Sequence, residues 1–331
     1  MERVRLNTHH YLKHVIKEEE DGLEVFYFMR TMWGLTTKKI RSVKFIDYGI
    51  LLDGERVTVR KRVSPGQLLM VLLDDTEERE DRVLPCPMPL DILYEDENLI
   101  FLNKPSGMVS HPSKGHLTDS LANGVKAHFE DNADCYARVH LIGRLDKDTS
   151  GIVGIAKNGV TGDRMHQLRK LQKLQKEYLA IIEGTPQVQE DQISIPMEEY
   201  HDPEDYDRIK MISAGSGGPW KAASTHYRLV KSYGDYSLIR VRIETGRTHQ
   251  IRFHMAEIGH PLLGDPIYGR GAYEYEGGVL SRTALHAACL LCPHPFDHKI
   301  IELKAELPAD MKTLLGREDG EANYNDNFVT K

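Results

Sequence analysis

The chain of 331 residues predicts an α+β fold. A mixed, largely antiparallel sheet forms a large C-terminal unit, and a small N-terminal α/β unit precedes it. Three observations carry this reading. After Leu90, strand-like and helix-like runs follow one another without the regular βαβ rhythm of a parallel sheet. Between Gly22 and Leu73 a separate, shorter mixed pattern is complete in itself. An acidic stretch, Asp74 to Asp81, followed by Pro85, Pro87 and Pro89, divides the two as a linker does.

Element by element, residues 1–21 read as an irregular extension. Val25–Trp33 and Thr36–Lys44 read as helices, the second capped by Thr36 or Thr37. Ile50–Val57 reads as two short strands around the Asp53-Gly54 turn. Pro65-Gly66 marks a turn before an apolar strand from Leu68. Residues 74–89 are the linker and 90–315 the large unit. There, Leu99–Leu102, Ile152–Ala156, Tyr178–Ile182, Thr225–Val230, Tyr236–Ile243 and Leu285–Leu291 read as strands. Val160–Gln175 carries Met165, Leu168, Leu171 and Leu174 at helical spacing. Ser213–Pro219 is a Gly/Ser loop. Residues 316–331 have the acidic, Gly/Asn-rich composition of a disordered tail.

Composition excludes several classes. No apolar run reaches the roughly 18 residues needed to span a bilayer. Met1–Leu6 lacks the apolar core of a signal peptide. Four cysteines are too few for a disulfide framework in a chain of this size. These features lead to the expectation of a cytoplasmic protein. The net charge of −7 argues against a polyanionic partner until its distribution is considered. Acid gathers in Glu18–Asp21, Asp74–Asp81 and Glu198–Asp207. Between Thr36 and Arg62, eight cations stand against three acids. A local field, not the net charge, steers a polyanion, although a lone basic cluster is more often a solvated face.

The most informative run is Gly143-Arg144-Leu145-Asp146-Lys147-Asp148-Thr149-Ser150-Gly151. It sets a carboxylate between two cations and turns into an apolar strand. A carboxylate held at a strand mouth is a candidate nucleophile. Taken alone, Asp in a Thr-Ser-Gly turn is ordinary turn chemistry. The chain around it supplies the rest. Tyr94–Ile100, Asn103-Lys104-Pro105-Ser106-Gly107 and His111-Pro112 lie upstream. Downstream follow Lys176-Glu177-Tyr178-Leu179-Ala180, then Glu244-Thr245-Gly246-Arg247-Thr248-His249-Gln250-Ile251-Arg252-Phe253-His254. Gly259-His260-Pro261, Gly264–Gly269 and Leu285-His286-Ala287 complete the series.

In this order the blocks resemble the pseudouridine synthases of the RluA family, over about Leu90 to Pro308. One position departs: the family often has His before Arg-Leu-Asp, and here it is Gly143. The segment Gly22–Leu73, with its basic helix pair and Leu-Leu-Asp-Gly-Glu-Arg-Val, resembles the S-four-type RNA-binding modules fused to such enzymes.

The resemblance implies a catalytic domain with a central cleft that isomerises uridine in RNA to pseudouridine without a cofactor. Asp146 is then the catalytic carboxylate, which attacks the anomeric carbon or takes a ribose proton to give a glycal. Tyr178 faces the base, and Arg252 pairs with Asp146. Arg144 fills the space left by the flipped nucleotide, and Leu285 walls the uracil site. Lys104, Arg247, His249 and Gln250 touch phosphate or shape the rim. Lys38, Lys39, Arg41 and Lys44 bind RNA. The implied substrate is structured RNA, large-subunit ribosomal RNA first and transfer RNA as the alternative. The expected protein is a monomer with no obligate protein partner. A non-catalytic RNA-binding or ribosome-assembly factor is the competing function. The complete set Asp146, Tyr178 and Arg252 favours the enzyme.

Two further patterns are decoys. Cys289-x-x-Cys292-x-His294-x-x-x-His298 invites a zinc reading, but residues three apart on a strand point to opposite faces. No metal is expected. Ala214-Gly215-Ser216-Gly217-Gly218 faintly matches a nucleophile elbow, but it lacks the buried strand that such a turn needs.

Overall fold

The computed structural model describes residues 9–74, 83–132, 138–201, 209–213, 215 and 219–316. Cys135, most of the Asp74–Asp81 stretch, the loop around Ser216 and the tail from residue 317 lie outside the described residues.

The N-terminal unit is a four-stranded antiparallel sheet in the order β1-β4-β2-β3. Its strands are β1 (Tyr11–Val15), β2 (Ile50–Leu52), β3 (Glu55–Arg56) and β4 (Leu68–Leu72). The β2–β3 turn forms as its sequence demands, with Asp53 at φ 52° and Gly54 at φ 86°. A helical stretch, Val25–Tyr27 continuing into Phe28–Met32, and the helix Thr37–Val43 cover the sheet. Thr36 caps the second helix by accepting the Lys39 amide at 3.2 Å. The expected extension over residues 1–21 needs correction: Tyr11–Val15 pairs with β4 along its full length. The linker is also shorter than expected. Asp74 is buried against His9. Leu84 and Cys86 are tied to Asn123 of the helix Leu121–Asp131.

The large unit is built on a ten-stranded sheet. Its path is β10 (Glu190–Ile193), β13 (Thr225–Ser232), β14 (Tyr236–Ile243), β9 (Gln175–Glu183), β17 (Leu285–Pro293), β8 (Ser150–Ala156), β6 (Leu99–Lys104) and β5 (Ile92–Glu95). Strand β18 (Ile300–Lys304) adds to β17, and β7 (His140–Leu141) to β8, while β11 (Met197–His201) with β12 (Ile209–Ser213) and β15 (Tyr273–Tyr275) with β16 (Gly278–Leu280) form separate two-stranded sheets. Every pairing is antiparallel except β17 with β8. Strand β8 is buried along its whole length, which is why it reads as a continuous apolar run and not as an alternation. Elsewhere period two sorts the side chains. Tyr178, Ala180 and Ile182 join the cluster of Leu145, Ile251 and Leu285. Leu179 and Ile181 face the opposite core.

The helix expected over Val160–Gln175 runs only from Gly159 to Lys170. Leu171 is 66% exposed, and Gln172 turns the chain at φ 55°. Cys289 and Cys292 fall in different core clusters. Burial pushes both thiols up to about 12, so each is an inert apolar filler.

The two units touch. Val160 belongs to the N-terminal core, and Phe296 packs on it. The Arg164 guanidinium donates to the Trp33 carbonyl and, at 2.9 Å, to that of Pro295. It also sits 4.4 Å above the Phe296 ring.

Candidate active site

A cleft of about 970 Å³ is lined by Arg144, Asp146, Tyr178, Arg247, Arg252 and Leu285, among others. Asp146 sits on the turn entering β8. The second residue of β8, Gly151, has φ 108°, and a Cβ there would strike the Ala287 backbone of β17. Only glycine lets β8 and β17 approach there, and that parallel contact fixes where the loop emerges.

The loop backbone is held on three sides. The Ser110 hydroxyl donates to the Leu145 carbonyl at 2.8 Å and accepts from its amide at 3.1 Å. The Lys104 ammonium donates to the carbonyls of Lys147, Pro105 and Met108 at 3.1, 2.8 and 2.7 Å. Arg282 reaches the Asp148 carbonyl at 3.4 Å. It is itself held by Asp310 at 2.6 and 2.8 Å. This corrects the reading of Lys104 as a rim residue. It is fully buried and supports the Asp146 loop from beneath. Burial pushes its ammonium down to about 7, against the pull of Asp148 and Asp146.

Arg252 stands on the helix Gln250–Glu257 and does reach Asp146, with Nη1 3.4 Å from Oδ2. Its tighter partner is Asp265, which takes Nε and Nη2 at 2.6 and 2.8 Å. Asp265 is wholly buried, and its Oδ1 also accepts the amides of Ile267 and Tyr268. Burial opposes its charge, yet Arg252 and these amides hold the carboxyl below the usual carboxylate range. Tyr268 stacks against the guanidinium at 5.4 Å. Asp265 and Tyr268 belong to the Gly264–Gly269 block, whose residues carried no role in the sequence reading. Nothing in one chain tells which residue completes an ion pair across a fold.

The rim residues divide. Gln250 is buried and fully engaged. Its Oε1 accepts from the Arg247 amide and the Thr245 hydroxyl, and its Nε2 donates to the Ser224 carbonyl and Thr225 hydroxyl. It shapes the Thr245–Arg247 turn. His249 holds left-handed backbone at φ 53°. Burial lowers its pKa. Its Nε2 lies 3.9 Å from Asp146, and its Nδ1 bonds the Tyr268 hydroxyl at 3.2 Å. Arg247 holds the Ala222 carbonyl at 3.2 Å, and exposed Arg144 contacts the Thr248 hydroxyl at 3.3 Å.

Tyr178 and Leu285 share the cleft face of the sheet. Burial pushes the Tyr178 phenol up to about 12, so at neutral pH it is a neutral hydroxyl. Gly143 takes φ 117°, a backbone that a side chain such as His rarely adopts. The departure from the family pattern is therefore built into the local backbone. On the N-terminal unit, Lys38 and Arg41 are exposed. Lys44 lies 4.5 Å over Phe45. Lys39 departs from the expected RNA-facing set, because its ammonium holds the carbonyls of Leu73 and Asp74.

An acid, a buried Arg–Asp pair and a tyrosine thus converge on one cleft of the large sheet. Residues 98–257 match the family described as RNA pseudouridylate synthase. The chain is 36% identical over 272 residues to YlyB of Bacillus subtilis (strain 168), an uncharacterized RNA pseudouridine synthase, covering 81% of this chain and 85% of the relative. It is 38% identical to the ribosomal large subunit pseudouridine synthase D of Zymomonas mobilis, covering 70% and 73%. The solved structure of human RNA pseudouridylate synthase domain containing 4 shares the fold. Its TM-score is 0.54 at 23% identity, covering 66% of this chain and 89% of that one. The protein belongs to the RluA-type RNA pseudouridine synthases and is an enzyme that isomerises uridine in RNA.

Proposed function

We propose that this enzyme modifies large-subunit ribosomal RNA, with Asp146 as the catalytic carboxylate. Support for the substrate comes from relatives in three bacteria named ribosomal large subunit pseudouridine synthase D, at 34 to 39% identity. The observation that carries the catalytic assignment is the Asp265–Arg252–Asp146 chain, which aims one carboxylate into a cleft faced by Tyr178.

The chemistry follows. The carboxylate either attacks the anomeric carbon or takes a ribose proton. The glycosidic electron pair leaves on nitrogen 1 of the uracil. The freed base turns within the cleft, between Tyr178 and Leu285. Carbon 5 then bonds the anomeric carbon, which breaks the bond to the carboxylate or, on the glycal path, returns the ribose proton from it; carbon 5 loses its proton to solvent, and nitrogen 1 takes one up. Arg144 fills the gap left by the flipped nucleotide, whose unstacking costs a few kcal/mol. Lys38 and Arg41 of the S-four-like unit contribute RNA affinity. The working form is a cytoplasmic monomer.

Asp146→Asn tests the assignment, since an amide of nearly the same shape is a poor nucleophile. Tritium release from carbon-5-labelled RNA is expected to vanish while RNA affinity and melting temperature hold. Asp148→Asn is expected to be much milder. Release near the wild-type rate from Asp146→Asn removes Asp146 from the chemistry. Pseudouridine mapping of total RNA with and without the protein tests the substrate. A lost site in transfer RNA, and none in ribosomal RNA, rejects it.

A further inference from the structure

Arg169 lies in the last turn of the Gly159–Lys170 helix and lines the cleft. Its guanidinium sits against two backbone turns at glycines, Gly143 and Gly246. A Cβ on Gly143 would stand 3.5 Å from Nη1. A Cβ on Gly246 would lie 3.0 Å from Cζ and collide with Nη2. Gly143 opens the Asp146 loop, and Gly246 lies in the turn before the Arg252 helix. The cation thus occupies the space between the two segments that build the site. It also faces the base side of the cleft. Its charge opposes the burial-driven rise of the Tyr178 phenol and adds to the burial-driven fall of the Lys176 ammonium.

Four other cations of the cleft have partners in the protein, and Arg228, which also lines it, is exposed to solvent. Arg242 bonds Glu177, Lys176 holds the Ile152 carbonyl, Arg252 holds Asp265, and Arg247 holds the Ala222 carbonyl. Among the described residues, no carboxylate or carbonyl holds the Arg169 guanidinium. The plain structural reading is a last-turn cation facing the helix dipole. Such a residue stays over its own helix end, whereas this one reaches across to Gly143 and Gly246. A planar fork of donors without an internal acceptor suits a bidentate anion, and a phosphodiester is the anion that RNA offers at every step.

We propose that Arg169 is a substrate-binding residue that takes a backbone phosphate beside the flipped uridine, with Gly143 and Gly246 keeping its cradle open. This rests on the synthase reading above. Gly246 is not in left-handed backbone, so alanine there acts by displacing the guanidinium and not by straining the chain.

The test uses full-length wild type, Arg169→Gln, Arg169→Lys, Gly246→Ala and the Gln/Ala double variant. Each is titrated with one prefolded RNA across a salt series, and single-turnover tritium release is read at saturating RNA. Arg169→Gln is expected to bind roughly tenfold more weakly, the size of one charge-assisted contact. Its salt slope should fall by about one. The loss should fall on affinity more than on the saturated rate. Arg169→Lys should recover the slope but not the full affinity, and it serves as the readout if the Gln variant melts early. Gly246→Ala should weaken binding alone and add nothing to Arg169→Gln. Unchanged affinity and slope in Arg169→Gln overturn the proposal. So does unchanged affinity with a collapsed saturated rate, which places Arg169 on the base. A wild type that releases no tritium while the slope still falls defeats the synthase reading and leaves the phosphate contact standing.

Discussion

Asp146 is aimed by a residue that is itself held. Arg252 has three donors on two carboxylates, and the shorter bonds go to Asp265. Replacing Asp265 therefore does more than remove a charge from the core. It leaves a buried guanidinium with one long bond to Asp146, and losing one partner of such a pair costs about 3–5 kcal/mol. Asp265→Asn is expected to lower the urea midpoint and to cut the saturated single-turnover rate, with RNA affinity little changed. Asp146→Asn should cut the rate without the stability loss, because Asp146 lies at the open end of the chain. Wild-type rate and midpoint in Asp265→Asn reject this arrangement. The same residues show what one chain discloses. Asp146, Tyr178 and Arg252 each stand in a distinctive block, and the fold brings all three to one cleft. Lys104 stands in such a block too, but its block does not say that its ammonium faces inward to three carbonyls. Asp265 and Arg169 are recognisable only once the fold brings sequence-distant segments together.

Strand β17 carries a buried histidine that makes the stability of the fold depend on pH. His286 is buried where β17 pairs with β8, next to the Asp146 loop. Its Nε2 donates to the Ala305 carbonyl at 3.2 Å, so its Nδ1 accepts the Ser150 hydroxyl at 2.9 Å. That network assigns the neutral ring, and burial pushes its pKa down to about 4. The unfolded chain has His near 6.5. Between 4 and 6.5 the unfolded state binds the proton and the folded state does not. The contribution is therefore complete above 6.5 and is lost as pH falls toward 4, at up to about 1.4 kcal/mol per pH unit. Urea midpoints of wild type and His286→Gln from pH 7 to pH 4 check this. The variant should show the shallower decline, and equal declines reject it. Local pattern gave β14 at its observed bounds, because five apolar or aromatic residues of eight, set between turns at Gly234 and Gly246, leave little choice. It overran the Gly159–Lys170 helix, since Leu168, Leu171 and Leu174 keep helical spacing although the helix ends at Lys170 and Gln172 turns the chain. It missed β1, whose sequence Tyr-Leu-Lys-His-Val becomes a strand only against β4. The sheet order was illegible for the same reason: β17 inserts between β9 and β8, and no local signal specifies such pairing.

Across the whole molecule, the basic N-terminal unit and the cleft are linked by more than a tether. The linker reading suggests two independent parts, yet Val160 lies in the N-terminal core and Arg164 is bonded to the Trp33 carbonyl. Removing everything before Pro85 should therefore do two separable things. It exposes Val160 and Phe296 and leaves Arg164 short of one acceptor. Exposing one buried aliphatic side chain alone costs about 1.5–3 kcal/mol, so the shortened protein should melt earlier while still folding around its own sheet. It also removes Lys38 and Arg41, and with them counterion release on binding RNA. Affinity should drop most at low salt, and the dependence on salt should flatten. Arg164→Ala in the full chain separates the effects, since it loosens the contact and keeps the cations. That variant should share the lower melting temperature but keep the steep salt slope. Equal slopes for the full and shortened proteins reduce the basic cluster to a solvated face. A shortened protein that binds RNA normally and forms no pseudouridine makes the N-terminal unit part of the catalytic machinery, acting through the helix that carries both Arg164 and Arg169.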